Sequence, residues 1–510
     1  MLLFSVKQCS WNPENAYIVS MNWKEKIKWK LVIILLALVG ILIVWCAGKA
    51  GERKKSAETE ILQEYMIKEN ERASAGAAYP MQKETEGQRS TEEETKGEEQ
   101  DALTLPEERI GAAEQKTAET NAEITEPSIR VLLMTDGFTS YYHDKISLRF
   151  QGDYELRGKN SRTVKGGEIL ELALGSGEFQ DGSLTLVPTG EENRIIVTSL
   201  SRGQGNPAYR GSLTVYEDEN GLRMVNELPL EEYLYAVVPS EMPASYSEEA
   251  LKAQAVCART YACVQMEGSS LEALGAQVDD SVSYQVYQNS GEAETASQAV
   301  NETKGEILLN NGEPINAYYF STSHGKTSTD EVWEASVPST YLQSVECRYD
   351  AQEPWFAWEV TVPAGTILEN AKDFYPEVQT IGMPQILETG EGGAVLDLCL
   401  PTDQGEKELH SEYDIRSLLA PEGISITRQD GSQVKGGTLL PSAYFTLEAQ
   451  TDQEGNFTGC RIQGGGYGHG VGMSQNGAKG MAETGKKYKE ILTYFYKDVE
   501  IGNINDVLSK

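Results

Sequence analysis

One stretch decides how this chain folds around its candidate site: Val237-Val-Pro-Ser-Glu241-Met-Pro-Ala-Ser-Tyr-Ser-Glu-Glu-Ala-Leu-Lys-Ala-Gln-Ala-Val-Cys-Ala-Arg-Thr-Tyr261. It begins as an apolar, strand-like run that breaks at a proline. Ser245, with Glu248 three residues later, is the capping-box pattern that predicts the start of a helix. We therefore expect Glu241 on a short loop between the run and the helix. Small and apolar residues then recur at helical spacing and predict close packing against a neighbour: Leu251, Ala255, Ala258 and Ala262.

Glu241 is the candidate acid of this stretch. A carboxyl group held near apolar surface loses hydration, which raises its pKa toward neutrality and suits it to general acid catalysis. The alternative is a solvated carboxylate that favours the positive end of the dipole of the following helix. The stretch alone leaves both interpretations open.

The same stretch resembles the signature of the stage II sporulation protein D (SpoIID/LytB) family, with Cys257 where alanine is usual. A second signature of that family lies near the C-terminus, at Gly464-Gly-Gly-Tyr-Gly-His-Gly-Val-Gly-Met-Ser-Gln-Asn-Gly-Ala-Lys-Gly480. The resemblance covers Ser128 to Ile501. It implies a lytic transglycosylase that cuts the glycan strands of peptidoglycan, with Glu241 as the single catalytic acid/base.

The resemblance also suggests residues that contact the substrate. Ser321 and Ser323 match a hydroxyl-rich family element, and we expect them to donate hydrogen bonds to the sugar or to Glu241. Tyr341 either contacts the sugar or assists the acid, or else it is a core aromatic. His469 and Gln475 are expected to line the cleft and orient the sugar or Glu241, or else His469 packs inside a tight glycine turn. His324, beside the serines, is an alternative catalytic base.

No metal and no cofactor is expected. Some family members carry Cys and His just before a Gln-Val-Tyr element and bind zinc there. This chain has Asp279, Asp280, Ser283 and Tyr284 before its Gln285, and zinc prefers Cys or His in close spacing. The glycine-rich turn near the C-terminus lacks the Gly-Lys-Ser/Thr of a phosphate loop.

The composition and the N-terminal segment suggest where the protein acts. The chain has 510 residues and a net charge of −34, which argues against nucleic acid as a partner because phosphate binding needs basic surface. Residues 31–47 are a continuous apolar run and are predicted to be a transmembrane anchor. Residues 1–30 would then be cytoplasmic, although Met21 is an alternative start. The resemblance places the rest of the chain outside the cytoplasm.

The remaining chain divides into four predicted parts of an α+β protein. Residues 48–127 read as an acidic disordered linker. Residues 128–229 read as a β-rich module without a catalytic cluster, in which His143 is expected on the surface. Residues 230–501 form the catalytic domain, which begins with a short helix leading to the Glu241 loop. Within it, residues 306–315 are predicted to form a hairpin with Asn311-Gly312 at its turn. Ser474 is predicted to cap a helix that runs toward Met481. Residues 355–445 form a β-rich insertion, whose Trp355 and Trp358 either stack on sugar rings or pack in a core.

Cysteine usage predicts no disulfide framework. Five cysteines follow the apolar run, without a spacing pattern. Cys257 and Cys263 are six residues apart on one helix, so they lie on different faces and cannot pair.

Three functions are consistent with these residues. The first is non-hydrolytic cleavage that leaves 1,6-anhydro-muramic acid ends, which the family performs on strands stripped of peptides by an amidase. The second is hydrolysis by a muramidase with Asp279 or Asp280 as a second acid. The third is a wall-binding or amidase-enhancing protein without catalysis. Sporulation and general wall remodelling both remain open as its setting.

Overall fold

A computed structural model describes residues 126–333 and 339–508 of the chain. These residues form a mixed α+β architecture, as predicted. The predicted anchor 31–47 and nearly all of the linker 48–127 lie outside the described residues. Within residues 126–333 and 339–508, no helix is long and apolar enough to cross a membrane. Four short 3₁₀ helices connect larger elements: Asp136–Phe138, Glu272–Leu274, Asp330–Trp333 and Pro354–Phe356.

Residues 128–229 are built from strands, because apolar residues alternate with polar ones along each run. The β-rich character predicted for this region is present in the structure. Strand β1 pairs in parallel with β11 (Val278–Asp279), so a later segment of the chain completes this sheet. The sheets have the strand orders β11-β1-β10-β9-β6-β3-β4 and β5-β2-β7-β8. The strands are β1 Ser128–Leu133, β2 Lys145–Gln151, β3 Tyr154–Arg157, β4 Arg162–Val164, β5 Ile169–Ala173, β6 Ser183–Pro188, β7 Arg194–Val197, β8 Ala208–Tyr209, β9 Ser212–Asp218 and β10 Gly221–Pro229.

His143 is buried, so the prediction of a surface histidine is wrong. It is 5% exposed, and its Nε2 lies 2.9 Å from the carbonyl oxygen of Leu133. Its backbone pairs with Leu222 of β10 in both directions. The ring therefore fills space between β1 and the strand that leads to the first helix.

The predicted loop at Glu241 is instead the end of a helix. Helix α1 runs from Leu230 to Glu241 and includes Pro239 within its last turn. The hydroxyl of Ser240 donates to the carbonyl oxygen of Ala236 at 2.6 Å. The helix stops because Met242 precedes a proline and adopts an extended conformation, which this position favours.

Helix α2 (Glu248–Met266) begins after Ser247, so the prediction of Ser245 as the N-cap is wrong. A turn closed by the Tyr246 N–H and the Pro243 carbonyl delays the helix by two residues. The predicted stripe of small residues on α2 is fully buried. Helix α3 (Glu294–Glu302) packs against both earlier helices.

The core beneath these helices is shared with the preceding sheets. One hydrophobic cluster joins strand residues such as Leu148 and Phe150 to helix residues such as Val237, Leu251 and Ala258. Cys257 and Cys263 face different clusters, and all five cysteines of the described residues are free thiols.

Three strands follow α3: β12 Glu306–Asn310, β13 Glu313–Pro314 and β14 Tyr319–Phe320. The first two form the predicted hairpin. Asn311 and Gly312 at its turn have φ of 55° and 80°, as a tight two-residue hairpin requires.

Residues 358–464 form a separate β-rich layer with its own hydrophobic cluster. Its sheets have the orders β20-β19-β15-β22-β21 and β16-β17-β18. Strand β15 pairs with β22 from Trp358 to Pro363, so this layer continues past residue 445. Its elements are β15 Trp358–Pro363, α4 Ala364–Phe374, β16 Gln385–Thr389, β17 Val395–Thr402, β18 Gly405–His410, α5 Glu412–Leu418, β19 Ser425–Arg428, β20 Gln433–Lys435, β21 Phe445–Thr451 and β22 Phe457–Gly464.

The last part of the chain returns to the first helices. Strand β23 pairs in parallel with β14, so Tyr319 lies opposite Met473 and the two signature regions meet. Ser474 caps the next helix by accepting the Gly477 N–H, as predicted. The elements are β23 Met473–Ser474, α6 Gln475–Glu483, α7 Tyr488–Phe495, β24 Glu500–Asn503 and α8 Ile504–Leu508.

Candidate functional site

Glu241 is held at the C-terminal end of α1 by hydrogen bonds to its carboxylate. Its Oε1 accepts the backbone N–H of Val286 at 2.7 Å, and the hydroxyl of Tyr319 is its second partner. The residue keeps some solvent-accessible surface although protein surrounds it. The C-terminus of a helix is its negative end, so the dipole of α1 does not favour an anion here.

Loss of hydration raises the pKa of Glu241 from 4.5 to about 7. The bonds from Val286 and Tyr319 lower the pKa but do not cancel this effect. Among the described residues, no lysine or arginine forms an ion pair with Glu241. Near neutral pH the group is therefore present in both protonation states, and it can give or take a proton.

Tyr319 is a functional candidate that the sequence analysis missed. The hydroxyl of Tyr233 donates to Oε1 of Gln285 at 3.4 Å, and Nε2 of Gln285 donates to the Tyr319 hydroxyl at 3.2 Å. Because Tyr319 accepts from Gln285, its own proton is directed to Glu241. The local sequence signal for this network is the Gln-Val-Tyr element at Gln285, which supplies the glutamine that contacts Tyr319.

Gln475 contacts Glu241 directly, through the backbone. Its Nε2 donates to the Glu241 carbonyl oxygen at 3.0 Å and lies 3.3 Å from Oε1 of Gln254. Since Gln475 is the first residue of α6, this contact joins the C-terminal signature to the end of α1. The contact positions the backbone of Glu241 and does not involve its carboxylate.

His469 supports Tyr319 rather than Glu241. Its Nδ1 accepts the Val471 N–H at 3.1 Å, so its Nε2 carries the proton and donates to the Tyr319 carbonyl at 3.0 Å. Burial lowers the pKa of His469 to about 4, so the ring is neutral at physiological pH. Phe320 and Trp333 pack around it.

The two predicted serines have different surroundings. Ser321 is partly exposed, and its hydroxyl lies 3.1 Å from that of Thr322. Ser323 is buried and faces inward: its N–H donates to Asp350 at 2.6 Å and its hydroxyl to the Cys347 carbonyl at 3.1 Å. Only Ser321 is therefore available to a ligand in this structure.

Tyr341 and His324 have no contact with Glu241. The Tyr341 hydroxyl accepts the Asn316 N–H at 3.3 Å. His324 stacks on Tyr444 with ring centroids 4.1 Å apart, and burial lowers its pKa to about 4. A neutral, stacked ring of such low basicity is a poor general base at neutral pH.

Asp279 and Asp280, the candidate second acids for hydrolysis, form hydrogen bonds or an ion pair inside the protein. Asp280 is fully buried, pairs with Arg202 at 2.6 Å and accepts the Met134 N–H at 2.9 Å. Asp279 accepts from Tyr141 at 3.0 Å and from Ser281. Within the described residues, no group of three or more potential ligands is placed to hold a metal ion.

Two family models match the chain. The model of SpoIID, stage II sporulation protein, matches residues 218–309, which include Glu241 and Gln285. The model of a domain of unknown function, DUF8618, matches residues 340–472, which include the β-rich layer.

The chain is similar to the following three relatives. It is 32% identical to stage II sporulation protein D of Bacillus subtilis (strain 168) over 338 residues, which is 63% of this chain and 88% of that protein. It is 32% identical to stage II sporulation protein D of Bacillus amyloliquefaciens over 314 residues, 59% of this chain and 81% of that protein. It is 34% identical to the amidase enhancer of Bacillus subtilis (strain 168) over 295 residues, 52% of this chain but 39% of that protein.

Proposed function

This chain belongs to the SpoIID family of stage II sporulation protein D, and we propose that it is a peptidoglycan lytic transglycosylase. The observation that carries the proposal is Glu241, a partly exposed carboxyl group without a cationic partner and with a pKa of about 7. Such a group can serve as acid and base in one catalytic cycle near neutral pH.

The reaction needs one carboxyl group and no water. Protonated Glu241 donates to the glycosidic oxygen between N-acetylmuramic acid and N-acetylglucosamine, and the bond from that oxygen to C1 breaks. The resulting carboxylate takes the proton of the muramic acid 6-hydroxyl while this oxygen bonds to C1. The product has a 1,6-anhydro end, and Glu241 is protonated again. Tyr319 stabilises the carboxylate between the two transfers.

Hydrolysis is a weaker alternative, because a glycosidase of the ordinary kind needs a second carboxyl group across the scissile bond. Asp279 and Asp280 already make hydrogen bonds or an ion pair inside the protein. Neither is placed to activate a water molecule for Glu241.

We place this activity outside the cytoplasm, with residues 31–47 as the membrane anchor. The substrate is a glycan strand from which an amidase has removed the peptides, and sporulation or wall remodelling is the setting. A relative named amidase enhancer supports a link between such amidases and this family.

Product analysis tests the proposal. The purified full-length chain is incubated with peptide-free glycan strands and with intact peptidoglycan, and products are identified by mass spectrometry. We expect anhydro-ended fragments, and a loss of about 10³-fold in rate for Glu241→Gln, as for removal of a general acid/base. Glu232→Gln, a half-buried carboxylate in the first turn of the same helix, is the matched control.

Two results would redirect the proposal. Fragments heavier by one water would identify a hydrolase. Binding to the wall that survives Glu241→Gln, with no product from either protein, would identify a binding or amidase-enhancing protein.

A further inference from the structure

Two aromatic side chains meet at the surface where the β-rich layer joins the glycine-rich signature. Trp355 and Tyr467 have ring centroids 4.8 Å apart at an interplanar angle of 43°. Tyr467 is 41% exposed, so part of its ring is accessible to a ligand. The Tyr467 hydroxyl forms no hydrogen bond with any residue that the structure describes.

The backbone holds Tyr467 rigidly in this position. Gly466 and Gly468 on either side have φ of 83° and 105°, a region that favours glycine. Tyr467 exchanges two backbone hydrogen bonds with Thr322, at 2.8 and 3.1 Å, and the Gly466 N–H donates to the Trp355 carbonyl at 2.8 Å. A ligand that binds this ring therefore does not have to order the loop.

A cation adjoins the aromatic pair. The Arg428 guanidinium lies over the Trp355 ring, with Cζ 5.3 Å from the centroid. Its Nε donates to Ser432 at 2.8 Å, whereas Nη1 and Nη2 donate to no group in the described parts of the chain. Asp430 is near, and its Oδ1 accepts hydrogen bonds from the N–H and the hydroxyl of Ser432, whereas Arg428 forms no ion pair with any described residue.

A short series of contacts connects this surface to the candidate active site. Thr322, which pairs with Tyr467, also accepts a hydrogen bond from Nδ2 of Asn476 at 2.9 Å. Asn476 follows Gln475, whose side chain holds the Glu241 carbonyl. These contacts connect the Tyr467 backbone to the residues that position Glu241.

We propose that Tyr467, Trp355 and Arg428 form a distal subsite for a sugar that carries a carboxylate, the muramic acid of a peptide-free strand. The apolar face of the sugar packs on the aromatic rings, and the free nitrogens of Arg428 bind its lactyl carboxylate through two hydrogen bonds. A peptide attached to that carboxylate would remove its charge, so the subsite favours peptide-free strands. This assignment rests on the proposed function and provides the region 340–472 with a role in substrate selection.

Binding measurements in a Glu241→Gln background test the subsite without cleavage. Calorimetric titrations use peptide-free oligosaccharides of alternating N-acetylglucosamine and muramic acid, and the same oligosaccharides with the carboxylates reduced to alcohols. We expect Tyr467→Ala to weaken binding of both by about tenfold, as loss of one aromatic contact allows. Arg428→Gln is expected to weaken binding of the carboxylate form alone by about tenfold.

The matched control is Tyr375→Ala. Tyr375 is a half-buried aromatic of the same β-rich layer that lies under Lys407, with Nζ 5.2 Å from its ring centroid. Affinities for Tyr467→Ala and Arg428→Gln within twofold of the control would overturn the subsite. An Arg428→Gln effect that persists with the reduced oligosaccharide would overturn carboxylate recognition.

Failure of the subsite can be told apart from failure of the proposed function. If wild-type chain produces anhydro ends but the Tyr467 and Arg428 variants bind normally, the subsite is wrong and the activity stands. If the wild-type chain produces no anhydro ends yet these substitutions weaken binding about tenfold, the subsite stands and the activity is wrong.

Discussion

Helix α1 carries a carboxylate near each end, and the two have opposite surroundings. Glu231, in the first turn, is 5% exposed and accepts two hydrogen bonds from Arg259, at 2.8 and 2.6 Å, and one from the Gly305 N–H at 3.0 Å. Glu241, the last residue, has a backbone N–H and a tyrosine hydroxyl but no cation. Glu231 has a cationic partner, and Glu241 has none among the described residues.

This difference assigns different physical roles to the two ends. A buried carboxylate with a bidentate arginine joins two helices. A carboxylate that loses hydration without gaining a cation becomes harder to ionise and is ready to exchange a proton. The first arrangement stabilises the fold. The second lowers the stability of the fold but provides a group that can exchange a proton.

Arg259→Met tests how much the Glu231–Arg259 pair contributes to stability, and it has the largest expected effect. It leaves Glu231 buried and unpaired, so we expect a loss of about 3–5 kcal/mol in the free energy of unfolding. Lys252→Met on the same helix is the control, because its partners Glu248 and Glu302 are more exposed, and it should cost about 1 kcal/mol or less. Urea denaturation measures both, and equal losses would show that burial of Glu231 has no special cost.

Glu241→Gln should have the opposite effect on stability, and the effect depends on pH. The pKa of Glu241 is about 7 in the folded chain against 4.5 as its ordinary value, so the folded state holds the proton more tightly. Raising the pH from 4.5 to 7 therefore destabilises the wild type progressively. The variant escapes this loss and should gain up to roughly 3 kcal/mol above pH 7, with no gain at pH 4.5. A difference independent of pH would contradict the raised pKa.

Tyr319→Phe removes the hydrogen bond from a tyrosine hydroxyl to the Glu241 carboxylate. Removing a donor to the carboxylate raises the pKa of Glu241 further, so the decline of rate above neutral pH should move to higher pH. The rate should fall about tenfold, the value of one hydrogen bond to a charged group. Tyr341→Phe, whose hydroxyl contacts Asn316 instead, should leave the pH profile in place. An unchanged profile for Tyr319→Phe would exclude this role.

Gln475→Ala has the smallest expected effect. It removes one hydrogen bond to the Glu241 carbonyl and none to the carboxylate. We expect a stability loss of about 1 kcal/mol and a rate loss of a few-fold without a shift in the pH profile. A shift in that profile would mean that Gln475 acts on the carboxylate itself.

Local patterns predicted most elements correctly. The strands of residues 128–229, the hairpin at Asn311 and the Ser474 cap each depend on residues within a few positions of one another. The same rules failed at Pro239, where a break was expected. The proline lies in the last turn of α1, where few backbone bonds remain to be lost, so the helix continues to Glu241.

The identity of Glu241 as the candidate acid and the family of the chain came from sequence alone, because both depend on contiguous motifs. The tertiary structure alone decided what surrounds that acid. Val286 is 45 residues from Glu241 and Gln475 is 234 residues away, and the parallel pairing of β14 with β23 brings Tyr319 beside the C-terminal signature. A pKa depends on hydration and on neighbours in space, and a sequence pattern reports neighbours along the chain.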